Sequence, residues 1–208
     1  MIYVYNNEGL HDTLLCIATK RTDAVIETIE KDAAVVLMQN QEIIGYNILN
    51  ASTKLDIKFT GLLLEDEPAF NKQIALLLTN ADIALPNIEA EIKQQFIIGS
   101  VEQKQKHPDS DKLSICQVDL KGEVLQIVCG AQNIEQGQKV VVAKIGSMMP
   151  TGLLIEPSIL RKVASNGMIC SGKELNLAAE FNNKGILVLP STAPVGTGFY
   201  EYFKKEMI

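Results

Sequence analysis

The chain has 208 residues, of which 47% are hydrophobic and only 5% are aromatic, and its formal net charge at pH 7 is −6. That length predicts one long or two small domains, and no apolar run approaches the roughly 18–20 residues of a membrane-spanning helix. The first residues, MIYVYNNEGL, lack the basic region and apolar core of a signal peptide, so we expect a cytoplasmic protein with no membrane association.

The first part of the sequence is rich in short β-branched and aliphatic runs. Four runs have the length and composition of strands, namely residues 13–20, 25–30, 33–39 and 42–49. Only Asn40 and Gln41 separate the last two runs, which is the spacing of a tight hairpin turn. The pattern predicts a small antiparallel meander.

The apolar period then changes from two residues to that of a helix. Pro68 favours a first helical turn, and Asn80 favours an end, so the spacing predicts one amphipathic helix within residues 65–80. Its apolar stripe is Phe70, Ile74, Leu77 and Leu78. We expect this stripe to cover one face of the meander, which makes residues 1–87 a small acidic α+β domain whose function the sequence does not indicate.

A linker is predicted at residues 80–92, where both periods are lost and Pro86 occurs. We place the domain boundary between residues 87 and 88. Residues 1–87 carry 6 basic and 12 acidic side chains, whereas residues 88–208 carry 13 of each. The acidity therefore belongs to the first domain, and an anionic partner would bind the second.

The second half returns to strands. The runs are residues 96–104, 112–120, 124–130, 138–145, 165–172 and 185–190. Apolar residues change parity within residues 113–120, which predicts a bulge, and Gly99 would ease a bend. With a helical turn near residues 131–137, this pattern predicts an OB-fold. The predicted fold class is thus mainly β, with a C-terminal OB-fold barrel after the small α+β domain.

Nothing in the sequence favours catalysis. The only histidines, His11 and His107, lie in different halves, and there is no GxSxG elbow, GxxxxGK[ST] loop or GxGxxG fingerprint. HPDSDK at residues 107–112 alternates metal-binding side chains, but it lacks further ligands and is typical of a turn. We expect no catalytic residues, metal or cofactor, and we expect the four widely spaced cysteines to be buried apolar residues.

A resemblance to a known family covers residues 96–177. The shared pieces are HPDxDKL at 107–113 and IVCGA with Asn133 at 127–133. They continue with Leu160, Arg161, Val163, Ser165, Gly167, Met168, Cys170 and Ser171, and with Glu174 and Leu175. They resemble the tRNA-binding OB domain of the phenylalanyl-tRNA synthetase β chain, of methionyl-tRNA synthetase extensions and of free-standing proteins. With an additional N-terminal domain of about ninety residues, the chain is similar to the YtpR family of free-standing tRNA-binding proteins.

The resemblance implies a non-catalytic protein that recognises folded tRNA by its backbone and shape. Cationic side chains would contact phosphates, and amide or hydroxyl groups would bond ribose or phosphate oxygens. The candidate tRNA-binding residues are Lys104, Lys106, His107, Lys112, Asn133, Lys144, Arg161, Lys162, Ser165, Met168 and Ser171. Met168 and Cys170 share strand parity, so Met168 packs in the core or, as the less favoured alternative, stacks on RNA.

Some features keep other interpretations open. Lys162 and Asn176 stand where the family usually has glycine, so the turn at Lys162 is in question. An alternative is a protein-interaction adaptor that keeps the OB fold but has lost most RNA affinity, which the absence of net positive charge favours. A synthetase or other tRNA enzyme as partner, and a homodimer through Tyr200, Tyr202 and Phe203, are further hypotheses.

Overall fold

The computed structural model describes residues 1–18, 24–64, 67–85 and 95–206. It divides the chain into two compact units, Met1–Lys93 and Gln94–Ile208, which are described separately below. The boundary predicted between residues 87 and 88 and the second part of the predicted linker lie outside the described residues. None of the helices in the described ranges is long and apolar enough to cross a membrane.

The first unit contains a six-stranded antiparallel sheet in the order β3-β4-β5-β2-β1-β6. Its strands are β1 (Ile2–Tyr5), β2 (Leu14–Ile17), β3 (Glu27–Glu30), β4 (Val35–Gln39), β5 (Glu42–Ile48) and β6 (Gly61–Leu62). Strand β2 pairs with β5 and β1, so the prediction of a simple meander is wrong for this strand. The β4–β5 turn was predicted correctly, and Asn40 and Gln41 both have positive φ, as a two-residue hairpin turn requires.

The two helices of this unit are α1 (Ala51–Lys54) and α2 (Pro68–Asn80). The predicted helix is confirmed, with Pro68 in its first turn and Asn80 at its end. Phe70, Ile74 and Leu78 are buried, and the Phe70 ring meets the Tyr3 ring of β1 edge-on at 5.3 Å. The helix therefore covers the sheet with its predicted apolar stripe.

The second unit is built on a sheet whose neighbouring strands follow the order β13-β10-β7-β8-β9, with β14 also pairing β10. The strands are β7 (Phe96–Lys106), β8 (Ser114–Asp119), β9 (Val124–Cys129), β10 (Lys139–Ala143), β11 (Ser158–Leu160), β12 (Val163–Ser165), β13 (Met168–Ile169) and β14 (Val188–Leu189). All six predicted strands are present, whereas the β11–β12 hairpin was not predicted. Because β13 also contacts β9, the first and last strands of this order lie close together.

The C-terminal helix α3 (Phe199–Glu206) covers the outer side of β7. Phe199 and Phe203 are buried, and the Tyr200 ring meets Phe96 at 5.4 Å while its hydroxyl donates to Leu175 O at 3.2 Å. Most of the aromatic group proposed from the sequence as a dimer contact is therefore used inside the unit.

Two local expectations for this sheet were wrong. The register shift lies in β7 between Val101 and Gln103, not in residues 113–120, where Cys116, Val118 and Leu120 alternate regularly into the core cluster. Leu113 and Ile115 differ in parity because they belong to the opposite face of the strand. Residues 131–137 form turns rather than a helical turn.

Gly99 is required by packing. A Cβ at this position would lie 2.6 Å from Val118 Cγ1 and 2.8 Å from Leu120 Cδ2, both in the core beneath β7. Real Cβ atoms do not approach so closely, so a side chain here would force the core apart. The contact fixes how tightly β7 and β8 can pack.

We expect Gly99→Ala to destabilise the second unit by about 1–3 kcal/mol because it overpacks this core. Gly130→Ala is the matched control, since a Cβ there would meet only Leu113 Cδ2 at an ordinary 3.4 Å. Thermal denaturation of both variants checks the difference. Equal melting temperatures for the two variants would show that β7 and β8 are less tightly packed than described.

Candidate nucleic-acid interface

The turn between β7 and β8 is organised by a buried histidine. His107 is only 1% exposed, and its backbone N–H donates to Leu113 O at 3.0 Å. Its ring Nδ1 accepts a hydrogen bond from the Asp109 N–H at 3.1 Å. Because Nδ1 accepts, the neutral ring carries its proton on Nε2. The buried His107 ring is part of the framework of this turn, and the RNA contact expected for it stays a prediction.

The β11–β12 hairpin has a two-residue loop made of Arg161 and Lys162. Leu160 and Val163 form the last pair of the hairpin, and the two loop residues have φ of 47° and 70°. This left-handed geometry suits glycine, which the family usually has at the second position, and it is strained for side chains with a Cβ. The two-residue turn is thus formed with lysine at its second position, and both cationic side chains are exposed.

Two hydrogen bonds join the hairpin to the β7–β8 turn. The protonated Nε2 of His107 donates to Leu160 O at 3.1 Å, and Arg161 Nη1 donates to Asp109 O at 2.6 Å. Segments about fifty residues apart in sequence therefore meet at one place. We name the exposed cations on these joined loops the cationic rim, which consists of Lys106, Lys112, Arg161 and Lys162.

Two further lysines predicted to contact RNA are paired with glutamates. Lys104 on β7 lies 2.9 Å from Glu135 Oε1, and Lys144, directly after β10, forms an ion pair with Glu123. Both lysine side chains are largely covered, at 26% and 21% exposure. They therefore differ from the rim cations in burial. An acidic partner does not separate the two groups, because Lys106 of the rim pairs with Asp111 at 2.5 Å.

The predicted polar contacts at Asn133 and Ser171 are occupied within the protein. Asn133 Nδ2 donates to Ile186 O at 2.9 Å, and its Oδ1 accepts from Ile186 N at 3.0 Å. The Ser171 hydroxyl donates to Glu174 Oε2 at 2.7 Å and accepts from Glu174 N at 3.2 Å. Both side chains hold backbone segments together, so their shared role is structural.

Ser165 is also structural. It is 2% exposed, its hydroxyl accepts from Val128 N at 3.0 Å and donates to Gly167 O at 3.2 Å. The hydroxyl is bonded within the protein as donor and as acceptor, so the structure shows a framework role for Ser165, and its RNA contact stays a prediction. The bond fixes β12 along the edge of β9.

Met168 lies on the face of β13 opposite to Ile169. Ile169 pairs with Val142 in the core cluster, whereas Met168 pairs with Ala143 and is half-buried. The expectation of core packing for Met168 stays a prediction, since Met168 lies outside this cluster but pairs with the fully buried Ala143. Cys170, the other residue of that expectation, is fully buried.

The remaining candidate groups, the cysteines and the 107–112 segment, have structural roles. All four cysteines are buried and free, as expected, and burial raises the pKa of the Cys116 thiol to about 11, so this thiol is protonated at neutral pH. Within the described ranges, no group of three or more histidine, cysteine or acidic side chains could hold a metal ion. The 107–112 segment instead uses His107 to hold the turn.

Residues 96–198 match the family described as "Putative tRNA binding domain". Along nearly its whole length, the chain is 44% identical over 200 residues to the Bacillus subtilis protein called "Putative tRNA-binding protein YtpR", covering 94% of this chain and 97% of that protein. The fold and the first match place the chain among proteins that carry this domain. The chain belongs to the YtpR family, since the second match extends through both units.

Synthetase subunits match part of the chain, and the matched part is a small share of their own length. The phenylalanine–tRNA ligase beta subunit of Bdellovibrio bacteriovorus is 44% identical over 132 residues, which are 62% of this chain and 16% of that subunit. The Sulfurimonas denitrificans subunit is 50% identical over 102 residues, or 49% and 13% of the two chains. A MetRS related protein from Pyrococcus horikoshii aligns with 50% of this chain and 88% of its own at a TM-score of 0.39 and 24% identity.

We expect His107→Ala to destabilise the second unit by about 2–4 kcal/mol, because it leaves a cavity and removes partners from the Asp109 N–H and Leu160 carbonyl. His11→Asn is the control, since His11 is exposed and asparagine tolerates its positive φ. Chemical denaturation followed by circular dichroism measures both. A His107 variant as stable as the control would contradict the framework role.

Proposed function

We propose that the second unit is an OB-type barrel that binds folded tRNA through the cationic rim. OB-folds bind oligonucleotides with the loop between their first two strands and the connection before their last strand. In this chain those positions are the β7–β8 turn and the β10–β13 connection, which contains the β11–β12 hairpin. The observation that carries the proposal is the pair of hydrogen bonds that joins these two loops.

The rim is suited to phosphates rather than to bases. Its side chains are lysines and arginine, which neutralise backbone charge and carry no sequence information. Stacking of splayed single-stranded bases needs exposed aromatic rings, but Phe96, Phe199 and Phe203 of this unit are buried. A ligand with a fixed spacing of phosphates, such as folded tRNA, fits this surface best.

The remaining expectations form part of the same proposal. The protein acts as a binding protein without catalysis, in the cytoplasm where its RNA partner occurs, and presents tRNA to a synthetase or another tRNA enzyme. A homodimer would use Tyr202, which is half-exposed, in place of the packed Tyr200 and Phe203. Sedimentation tests the dimer: a monomer at high concentration would remove it.

Binding to three polyanions tests the central function. Filter binding at two salt concentrations compares bulk tRNA, an unstructured RNA of equal length and duplex DNA. We expect tighter binding to tRNA than to either competitor. Equal binding to all three, or none, would contradict the proposal, and protein partners that survive ribonuclease treatment would favour the adaptor instead.

We expect Arg161→Ala and Lys162→Gly each to weaken tRNA binding about three- to tenfold and to reduce the slope of log affinity against log salt by about one. The loss should be similar across tRNA species because phosphates are contacted. Lys162→Gly should also raise stability by about 1 kcal/mol, because glycine relieves the left-handed strain at this residue. Weaker binding by a more stable variant would therefore reflect a lost contact.

Lys184→Ala is the matched control, because Lys184 is an exposed cation outside the rim. Unchanged affinity and unchanged salt slope in both rim variants would assign tRNA binding to another surface.

A further inference from the structure

We propose that Glu123 and Glu135 determine selectivity at this surface by occupying Lys144 and Lys104 and thereby disfavouring irregular RNA. This inference rests on the proposed tRNA binding, since it concerns the same surface. It assigns a role to two acidic residues that the sequence analysis did not single out. Their contribution is repulsive, and specificity commonly needs such an element.

The first pair lies on the strand that leads to the rim. Lys104 is two residues before Lys106 on β7, and its Nζ is 2.9 Å from Glu135 Oε1. The Glu135 side chain is 65% exposed, whereas that of Lys104 is 26% exposed. An approaching polyanion therefore meets the carboxylate before it meets the ammonium group.

The second pair lies at the end of β9 farther from the rim, on the side of the hairpin's base. Glu123 immediately precedes β9, and Gln126 of β9 donates to Ala164 O of β12 at 2.8 Å. Lys144, the partner of Glu123, follows Ala143, which pairs with Met168 of β13. Glu123 is 44% exposed and Lys144 is 21% exposed, so the acidic group is again the outer one.

The physical consequence follows from the strength of such pairs. Partly exposed ion pairs are weak, so a phosphate held at the right place can displace the glutamate at small cost. A flexible RNA must first order its backbone to deliver a phosphate there, and it otherwise meets the carboxylate within the Debye length of about 8–10 Å. Folded RNA is already ordered before it binds, so the carboxylates reduce its affinity less than that of flexible RNA.

Neutral variants of the glutamates test the inference. Glu123→Gln, Glu135→Gln and the double variant keep side-chain size while removing charge. In filter binding, we expect the double variant to bind poly(U) of tRNA length about tenfold more tightly in low salt and tRNA only about two- to threefold more tightly. The salt slope for poly(U) should become steeper by about 0.7 for each lysine released.

Controls separate this mechanism from a general charge effect. Glu180→Gln makes the same charge change at an exposed residue of the Ala179–Phe181 turn. In a Lys104→Gln background, Glu135→Gln should give less than half of its original gain, because no lysine is released. Equal gains for poly(U) and tRNA, or gains no larger than that of Glu180→Gln, would overturn the inference.

The result that would contradict the proposed function differs from the one that would contradict this inference. If Arg161→Ala leaves tRNA binding unchanged while the glutamate variants still alter poly(U) binding, the rim assignment is wrong but the repulsive role is kept. If Arg161→Ala weakens tRNA binding and the glutamate variants do nothing, the rim stands and the selectivity role is lost.

Discussion

The hydrogen bond from the buried His107 ring to Leu160 O is the interaction on which this surface depends. A buried imidazole must satisfy both nitrogens, and His107 does so by accepting from Asp109 N and donating to the hairpin. It thereby closes its own turn and fixes the position of a second loop. Without this link, the hairpin tip would have only the exposed Arg161 contact to hold it beside the β7–β8 turn.

The rest of the surface combines cations that attract phosphates with carboxylates that weaken this attraction. Residues 88–208 carry equal numbers of acidic and basic side chains, so net charge alone cannot attract RNA. Instead, the left-handed backbone of the β11–β12 loop places Arg161 and Lys162 at the tip of the hairpin. Carboxylates of Glu135 and Glu123 form ion pairs with Lys104 and Lys144. Strain of this kind is typical of functional positions, where local geometry outweighs stability.

Much of the fold could be predicted from the sequence because its signals are local. Apolar runs marked all six predicted strands of the second unit, and helical spacing with Pro68 marked α2. The pairing of β2 with β5 depends on long-range contacts, which no local pattern encodes. The β11–β12 hairpin was missed because its turn residues are Arg and Lys, not the glycine or asparagine that usually signal such a turn.

The site was less predictable than the fold for a similar reason. Residue type selected cations that are exposed, and their contact with tRNA stays a prediction, but it did not distinguish Ser165, which is buried, from an exposed serine. The pairing of Lys104 with Glu135 joins residues 31 positions apart and exists only because β7 meets the loop after β9. Residue type therefore predicted candidate side chains, but it did not show which of them are already bonded within the protein.

Amide chemical-shift mapping of the isotope-labelled full chain during titration with bulk tRNA tests the central claim most directly. The account predicts that the largest changes occur together in residues 107–113 and residues 160–163, because the His107 bond makes them one surface. Changes confined to one of these segments, or centred in the acidic first unit, would contradict it.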